Sequence, residues 1–387
     1  MKKLAIVGAS YLQVPLIKTA CEMELETHVF AWEEGAIGKD ICQQFYPISI
    51  TEKEQILEIC ETLRIDGITS ISSDLAMPTV NYIAGRMGLI GNSADCTLVT
   101  TNKFAMRQRL SHHGLPCPRF MRITSMDEWA GNDFRMPCII KPTDRSGSRG
   151  VRKIHNREQL EDGLEKALAA SLVKEAIVEE FIEGRREISV EMVTWKGTHH
   201  FITCTDKVST GEPHFVEIGQ HVPALIPADL QNRIVALVKE ALTVLGVTYG
   251  ASHSEILITE DGQIFIVEIG ARMGGDNIGS DLVPLYTGYD FVKGIIEIAL
   301  GEFTLPRIRQ KRPAGICFLT PKAGRVTRIV DNTPDFGEVV RSEVLVQKND
   351  QIHYPVVDSA QRSAYIIYTG ERPVDLDPGD VITIHTE

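Results

Sequence analysis

The chain has 387 residues, 43% of them hydrophobic and 24% charged, with a net charge of −12. That length predicts two or three domains with real cores, and the acidic balance argues against a nucleic-acid surface. Eight scattered cysteines with no Cys-x-x-Cys spacing point to neither a zinc site nor a disulfide framework. No run approaches the length of a membrane span, and the apolar run after Lys3 is too short for a secretory leader, so the expected place is the cytoplasm.

Residues 3–95 alternate strand and helix. Strands are expected over 4–7, 27–32 and 66–72, and helices over 14–24, 52–63 and 78–87, with Thr51 capping the second helix. This order predicts a parallel sheet with right-handed crossovers. The turn Gly8–Gln13 lacks the further glycines of a dinucleotide fingerprint, so the region reads as scaffold with that turn at a pocket edge. A helix over 102–112 carries Lys103 in its first turn, against the helix dipole. A phosphate at the helix start would give that lysine a purpose; alone it reads as a solvated surface residue.

A buried strand over 134–142 ends in Lys141, and a Ser/Gly-rich loop follows (144–151, with Ser146, Gly147 and Ser148). Backbone N–H groups of such a loop can wrap a phosphate chain, although alone it reads as a mobile surface hairpin. After a helix over 157–170 comes a strand over 177–182 with Glu179, Glu180, Phe181 and Ile182. In the next strand Glu187 begins an alternation of polar and apolar residues. Residues 199–225 read as a loop-like stretch carrying Lys207, Glu217 and His221. A helix is expected over 227–245, another helical stretch over 282–300, and short strands with tight turns over 311–387.

Residues 251–277 hold the sharpest signal. Asp261-Gly262 between apolar runs predicts a two-residue type I′ hairpin. With the turn centred there, Thr259 faces Ile264, Leu257 faces Ile266, Glu255 faces Glu268 and His253 faces Gly270. Facing glutamates have Cβ atoms about 4.5–5.5 Å apart and repel. A divalent cation between them reverses the sign, and hard oxygen ligands suit Mg²⁺. Arg272 follows, a fixed cation beside the hairpin suited to an anion or to developing negative charge. Gly274, Gly275, Asp276 and Asn277 come next.

The ordered set of a helix-start lysine, IIKP, SGSRGV, VEEFIEGRRE, the hairpin glutamates and EIGARMGGD resembles the ATP-grasp superfamily. Within it the chain is similar to carboxylate–amine ligases of the bacterial L-amino-acid (dipeptide-forming) type, and more distantly to biotin carboxylase and purine-pathway enzymes. The resemblance implies a fold mixing α/β and α+β. A pre-ATP-grasp α/β domain would span 1–95, and the ATP-grasp fold in two subdomains 96–305, with its lid at about 115–190. A small β-rich C-terminal domain would span 306–387.

For the site, the resemblance implies that Lys103 and Lys141 bind ATP phosphates and that Ser146, Gly147 and Ser148 close over them. Glu179, Glu180, Phe181 and Ile182 would form the hinge, with the backbone of Phe181 and Ile182 reading adenine. Glu187 would hold the ribose, and Glu255 and Glu268 the Mg²⁺. Arg272 would face the acyl phosphate, with Gly274, Gly275 and Asp276 shaping the carboxylate pocket. The Lys207 stretch would approach the amine, with Glu217 and His221 as its candidates. Many family members carry Asn where this chain has Gly270, so Asn277 or water is expected to complete the metal shell. The implied partners are a small-molecule carboxylate and an amine, not nucleic acid or membrane, and the implied assembly is a homodimer. The alternatives are an ATP-dependent carboxylase making carboxyphosphate and a nucleotide-binding module without turnover.

Overall fold

A computed structural model describes residues 1–129, 134–370 and 378–387. The chain opens on four parallel strands, β1 (Lys3–Val7), β2 (Glu26–Phe30), β3 (Gln44–Tyr46) and β4 (Gly67–Thr69), in the order β3-β2-β1-β4. Helices α1 (Val14–Glu22), α2 (Lys53–Leu63) and α3 (Met77–Met87) alternate with them. Leu4 to Val7 are fully buried in β1, as expected of a parallel strand covered on both faces. Thr51 is not the cap of α2: Glu52 holds that position without a side-chain cap bond, and Thr51 Oγ1 pairs with Ser49 Oγ instead. The strand expected over 66–72 stops at Thr69, which lets Ser72 to Asp74 turn toward the cleft described below.

Helices α4 (Ala94–Thr101) and α5 (Lys103–His112) lead into a four-stranded antiparallel sheet. It consists of β5 (Phe120–Ile123), β6 (Cys138–Pro142), β7 (Arg152–Ile154) and β8 (Ala176–Glu180), ordered β5-β8-β6-β7. Helix α6 (Arg157–Ala170) buries Leu160, Leu164 and Ala167 in a core with Ile140, Ile154 and Val178. The apolar residues recur at helical spacing, so one face of α6 closes this small layer.

The largest sheet has eight strands in the order β13-β12-β9-β10-β11-β14-β18-β16. They are β9 (Arg185–Trp195), β10 (Thr198–Ser209), β11 (Glu217–Val222), β12 (Tyr249–Thr259), β13 (Ile264–Gly270), β14 (Ala314–Leu319), β16 (Val339–Val344) and β18 (Ala364–Thr369). Strands from residues 314–369 therefore extend the sheet that carries the hairpin. Strands β15 (Gly324–Asp331), β17 (Gln351–Ile352) and β19 (Ile382–Thr386) make a separate three-stranded sheet. Helix α7 (Ala228–Val244) packs Ile234, Val238, Ala241 and Leu242 into one core with Val190, Ile256 and Ile266.

Two expectations are corrected here. Most of the stretch read as loop-like over 199–225 is strand, β10 and β11. Its pattern misleads because Thr203, Thr205, Asp206, Gln220 and His221 are polar yet buried. The hairpin turn is also not the two-residue type. Thr259 N–H donates to Gln263 O and Gly262 N–H to Thr259 O, with Gly262 at φ +78°, so three residues form the loop. That shifts the register by one: Ile258 faces Ile264, Leu257 faces Phe265 and Ile256 faces Ile266. A bulge between Glu255 and Ile256 then restores it, so that Glu255 faces Glu268 and His253 faces Gly270 as the symmetric turn predicts.

Candidate active site

One cleft of about 580 Å³ runs between the three layers. Lys103, Lys141, the loop 145–149, Glu179, Glu187, Glu217, Glu255, Glu268, Arg272, Gly275 and Asp276 all line it. Lys103 is only 6% exposed, so the solvated-surface reading fails. Asn102 caps α5, its Oδ1 accepting from Ala105 N–H at 3.0 Å, and this sets Lys103 at the helix start. The Lys103 ammonium donates to Arg145 O at 2.5 Å and to Glu268 Oε1 at 3.0 Å. Burial opposes its charge, but Glu268, with Asp74 and Glu255, outweighs it, and its pKa rises.

Lys141, at the end of β6, lies 2.7 Å from Glu179 Oε2, whose other oxygen is 2.8 Å from Arg107 Nη2. Two buried cations thus share one carboxylate. Burial, with Arg107 and Lys103 close by, pulls the Lys141 pKa down despite Glu179. Nε and Nη1 of Arg107 have no hydrogen-bond partner among the described residues. The Ser/Gly loop is held over this end: Ser148 Oγ donates to Phe215 O at 3.1 Å and Ser359 N–H to Gly147 O at 3.2 Å.

Around Lys207 the balance is the opposite. Lys207 contacts Glu255 Oε1 at 2.6 Å, Glu187 Oε1 at 3.2 Å and Glu217 Oε1. Oxygens of these three carboxylates lie within 4.8 Å of one another. Burial works against the Lys207 charge, but the three glutamates raise its pKa well above the usual value. One ammonium cannot satisfy three anions. Glu217 bears part of that imbalance: burial, with Asp276, Glu255 and Glu187 close by, pushes its pKa up to about 7 even against Lys207. Glu255 goes the other way. Burial raises it, but Lys207 and His253 hold it well below the carboxylate range.

His253 Nδ1 lies 2.6 Å from Glu191 Oε1 and its Nε2 3.6 Å from Glu255 Oε1. Burial disfavours its charge, but Glu191 and Glu255 push it up to about 9. The facing glutamates are therefore already relieved by protein cations, Glu268 by Lys103 and Glu255 by Lys207 and His253. Mutual repulsion alone does not demand a metal. The residues still fit one: these pairings all use Oε1, which leaves Oε2 of both glutamates for a hard cation.

Arg272 Nε and Nη2 make a bidentate pair with Asp74, at 2.8 and 2.7 Å. This explains Gly270. A Cβ there would stand 3.1 Å from Arg272 Nε and 3.1 Å from Asp74 Oδ1, so the pair fills the room a larger residue would need. Asp276 is likewise paired, with Arg362 at 2.8 and 2.6 Å. The Arg362 guanidinium also lies 3.6 Å over the Phe318 ring.

Not every expected residue reaches the cleft wall. His221 pairs with Asp206 across β10, on the face opposite Lys207, and its Nδ1 is 3.3 Å from Tyr368 Oη. Gln220 takes its place beside Glu217, its Nε2 donating to Glu217 Oε2 at 2.9 Å. Glu180 lines the cleft, while its Oε1 accepts from Arg119 N–H; Phe181 and Ile182 follow just beyond β8, Ile182 buried. Gly274 O accepts from Ser72 Oγ at 3.0 Å. Asn277 is 2% exposed and does not line the cleft. The sequence reading missed Asp74, Arg107, Glu191 and Arg362, lone charges without a motif around them. Arg107 had one signal, a position four residues after Lys103 on the same helix face.

Residues 134–281 match the ATP-grasp domain family, and the fold is that of an ATP-grasp domain protein. The chain is similar to an L-amino acid ligase of Bacillus licheniformis, with a TM-score of 0.87 and 22% identity over 100% of this chain and 99% of that one. In sequence it is 23% identical over 343 residues to the L-arginine-specific L-amino acid ligase of Bacillus subtilis, covering 81% of this chain and 76% of that one. It is 29% identical over 259 residues to the uncharacterized protein y4rH of Sinorhizobium fredii, covering 65% of this chain. The match spans about half, 52%, of the length of y4rH. Among the described residues no helix is long and apolar enough to cross a membrane.

Proposed function

We propose that this chain is an ATP-dependent ligase that activates a carboxylate, that of an amino acid, as an acyl phosphate and joins it to an amine, releasing ADP and phosphate. One observation carries the reading: a single cleft brings together buried cations, facing glutamates and a carboxylate-paired arginine. The likeness to L-amino-acid ligases supports the substrate class.

The roles follow from the charges. Lys103 and Lys141 receive the phosphates of ATP, and the loop 145–149 covers them and excludes water, which would otherwise hydrolyse the acyl phosphate. Mg²⁺ held by Glu255 and Glu268 would neutralise phosphoryl charge. Glu187 and the end of β8 hold the nucleoside. Arg272 stabilises negative charge developing at the attacked carbonyl. Glu217, with Gln220 rather than His221 beside it, faces the amine, and Asp276 bounds the carboxylate pocket with Gly274 and Gly275.

The test is ADP release from the purified protein with Mg-ATP over amino acids singly and in pairs, followed by mass analysis of products. A condensed product in step with ADP is expected. Stimulation by bicarbonate alone would move the protein to the carboxylases, and no stimulation by any amino acid would overturn the reading.

A further inference from the structure

The N-terminal parallel sheet has no part in the roles above, yet the turns after β1, β2 and β4 all line the cleft. After β4 the chain passes through Ser72, Ser73 and Asp74. Ser72 sits at φ +58°, a conformation uncommon for a residue with a side chain. This turn makes two contacts with the segment after the hairpin. Ser72 Oγ donates to Gly274 O at 3.0 Å. Asp74 takes Arg272 Nε and Nη2 on separate oxygens. Ser73 fixes the turn, its Oγ accepting from Ala76 N–H at 3.3 Å. Asp74 and Arg272 side chains are 17% and 10% exposed. A fork-to-fork pair of this kind sets the plane of the guanidinium as well as its position. Gly270 supplies the room for it.

We propose that Asp74 is a positioning residue for Arg272, and that Ser72–Asp74 braces the 272–274 segment from the N-terminal sheet. With Nε and one Nη2 hydrogen committed to Asp74, and Nη1 donating to Met273 O at 3.2 Å, Arg272 keeps only its outer Nη hydrogens for a substrate oxygen. The brace thereby fixes which edge of the guanidinium the substrate meets. It also makes the parallel sheet a working part of the site. This rests on the role given to Arg272 in the proposed ligase.

The experiment has two arms. In the first, phenylglyoxal modification of Arg272 is followed by peptide mass analysis in wild type, Asp74→Asn and Asp74→Glu. Faster modification in Asp74→Asn, with Asp74→Glu closer to wild type, is expected; equal rates in all three overturn the pairing. In the second, ADP release with the best amino-acid pair is measured alongside Mg-ADP affinity. A misplaced catalytic group costs on the order of 100-fold in rate. Asp74→Asn should lose kcat on that scale while Mg-ADP affinity and the KM for ATP hold. In an Arg272→Lys background the same change should add little. An equal loss in both backgrounds overturns action through Arg272. If no amino-acid pair stimulates ADP release, the ligase reading has failed, and the modification arm alone decides the brace.

Discussion

Two buried lysines, Lys141 on the cleft wall and Lys207 behind three cleft-lining glutamates, live in opposite fields. At Lys141 two cations share one carboxylate, Glu179. At Lys207 three carboxylates share one cation. Accordingly the pKa of Lys141 is lowered and that of Lys207 raised well above the usual value, though burial opposes both charges. The difference teaches what each end lacks. The Lys141 end has spare positive charge and suits an anion such as a phosphate chain. The Lys207 end has spare negative charge and suits a cation, whether metal or ammonium. A buried charge set left unbalanced in this way is costly for stability, which is a physical reason to read both ends as functional.

The largest expected effect tests that asymmetry directly. Lys207→Met leaves Glu187, Glu217 and Glu255 together without their cation, and breaking a buried set of this kind costs about 3–5 kcal/mol. Lys141→Met leaves Glu179 still paired with Arg107, so its stability cost should be nearer 1 kcal/mol, a common size for a point substitution. Urea denaturation of the two variants checks the contrast. Mg-ADP binding should invert it, with Lys141→Met losing affinity on the order of 100-fold, since a buried charge contact is typically worth 2–5 kcal/mol. Equal stability losses for the two would remove the argument.

Next in size is a pH effect. Burial, with its acidic neighbours, lifts the Glu217 pKa from 4.5 to about 7. A carboxyl with a raised folded-state pKa binds its proton more tightly in the native protein. Its contribution to stability is therefore whole below about pH 4.5 and is lost as pH rises through about 7. A shift of that size is worth roughly 3 kcal/mol. Wild type should fall in stability across that window by that term, and Glu217→Gln should flatten it. A variant with the same slope as wild type would place the titration elsewhere.

How much of this was legible in the sequence differs between the same two ends. The anion end could be read because its residues are local: Lys141 closes an apolar strand and the Ser/Gly loop follows it at once. Even so, Lys103 alone looked like a surface residue, because nothing in its neighbours announces that α5 points its start into a cleft. The cation end was misread as loop. Its strands carry buried polar residues, among them Thr205 and Gln220, so apolar alternation, the usual strand signal, is missing. His221 came from the resemblance alone, and without strand alternation the sequence does not show that Gln220 rather than His221 stands opposite Lys207. The hairpin pairing of Glu255 with Glu268 came out as expected only because an unforeseen three-residue loop and an unforeseen bulge cancel. Asp74 and Arg362 lie far along the chain from their partners Arg272 and Asp276, and single-sequence reasoning has no access to such pairs.

The smallest effect worth measuring concerns how the anion end is held. Asn102 caps α5 and gives way at once to Lys103. Lys103 N–H also donates to Thr143 O at 2.7 Å, so the helix start is tied to the segment after β6 as well as capped. Asn102→Ala removes the cap alone, at a cost of about 1 kcal/mol. Because the Thr143 tie and the Glu268 and Arg145 contacts of the ammonium remain, the lysine should stay in place. Mg-ADP affinity should then fall by no more than about threefold, within the effect of one weak interaction. Asn102→Asp keeps an acceptor at the cap and adds a carboxylate at the helix start, so it should restore stability. It should not restore affinity fully, because the new negative charge stands beside the proposed phosphate site. If Asn102→Asp instead binds Mg-ADP more tightly than wild type, the excess positive charge assigned to this end is wrong, and the contrast with the Lys207 end fails with it.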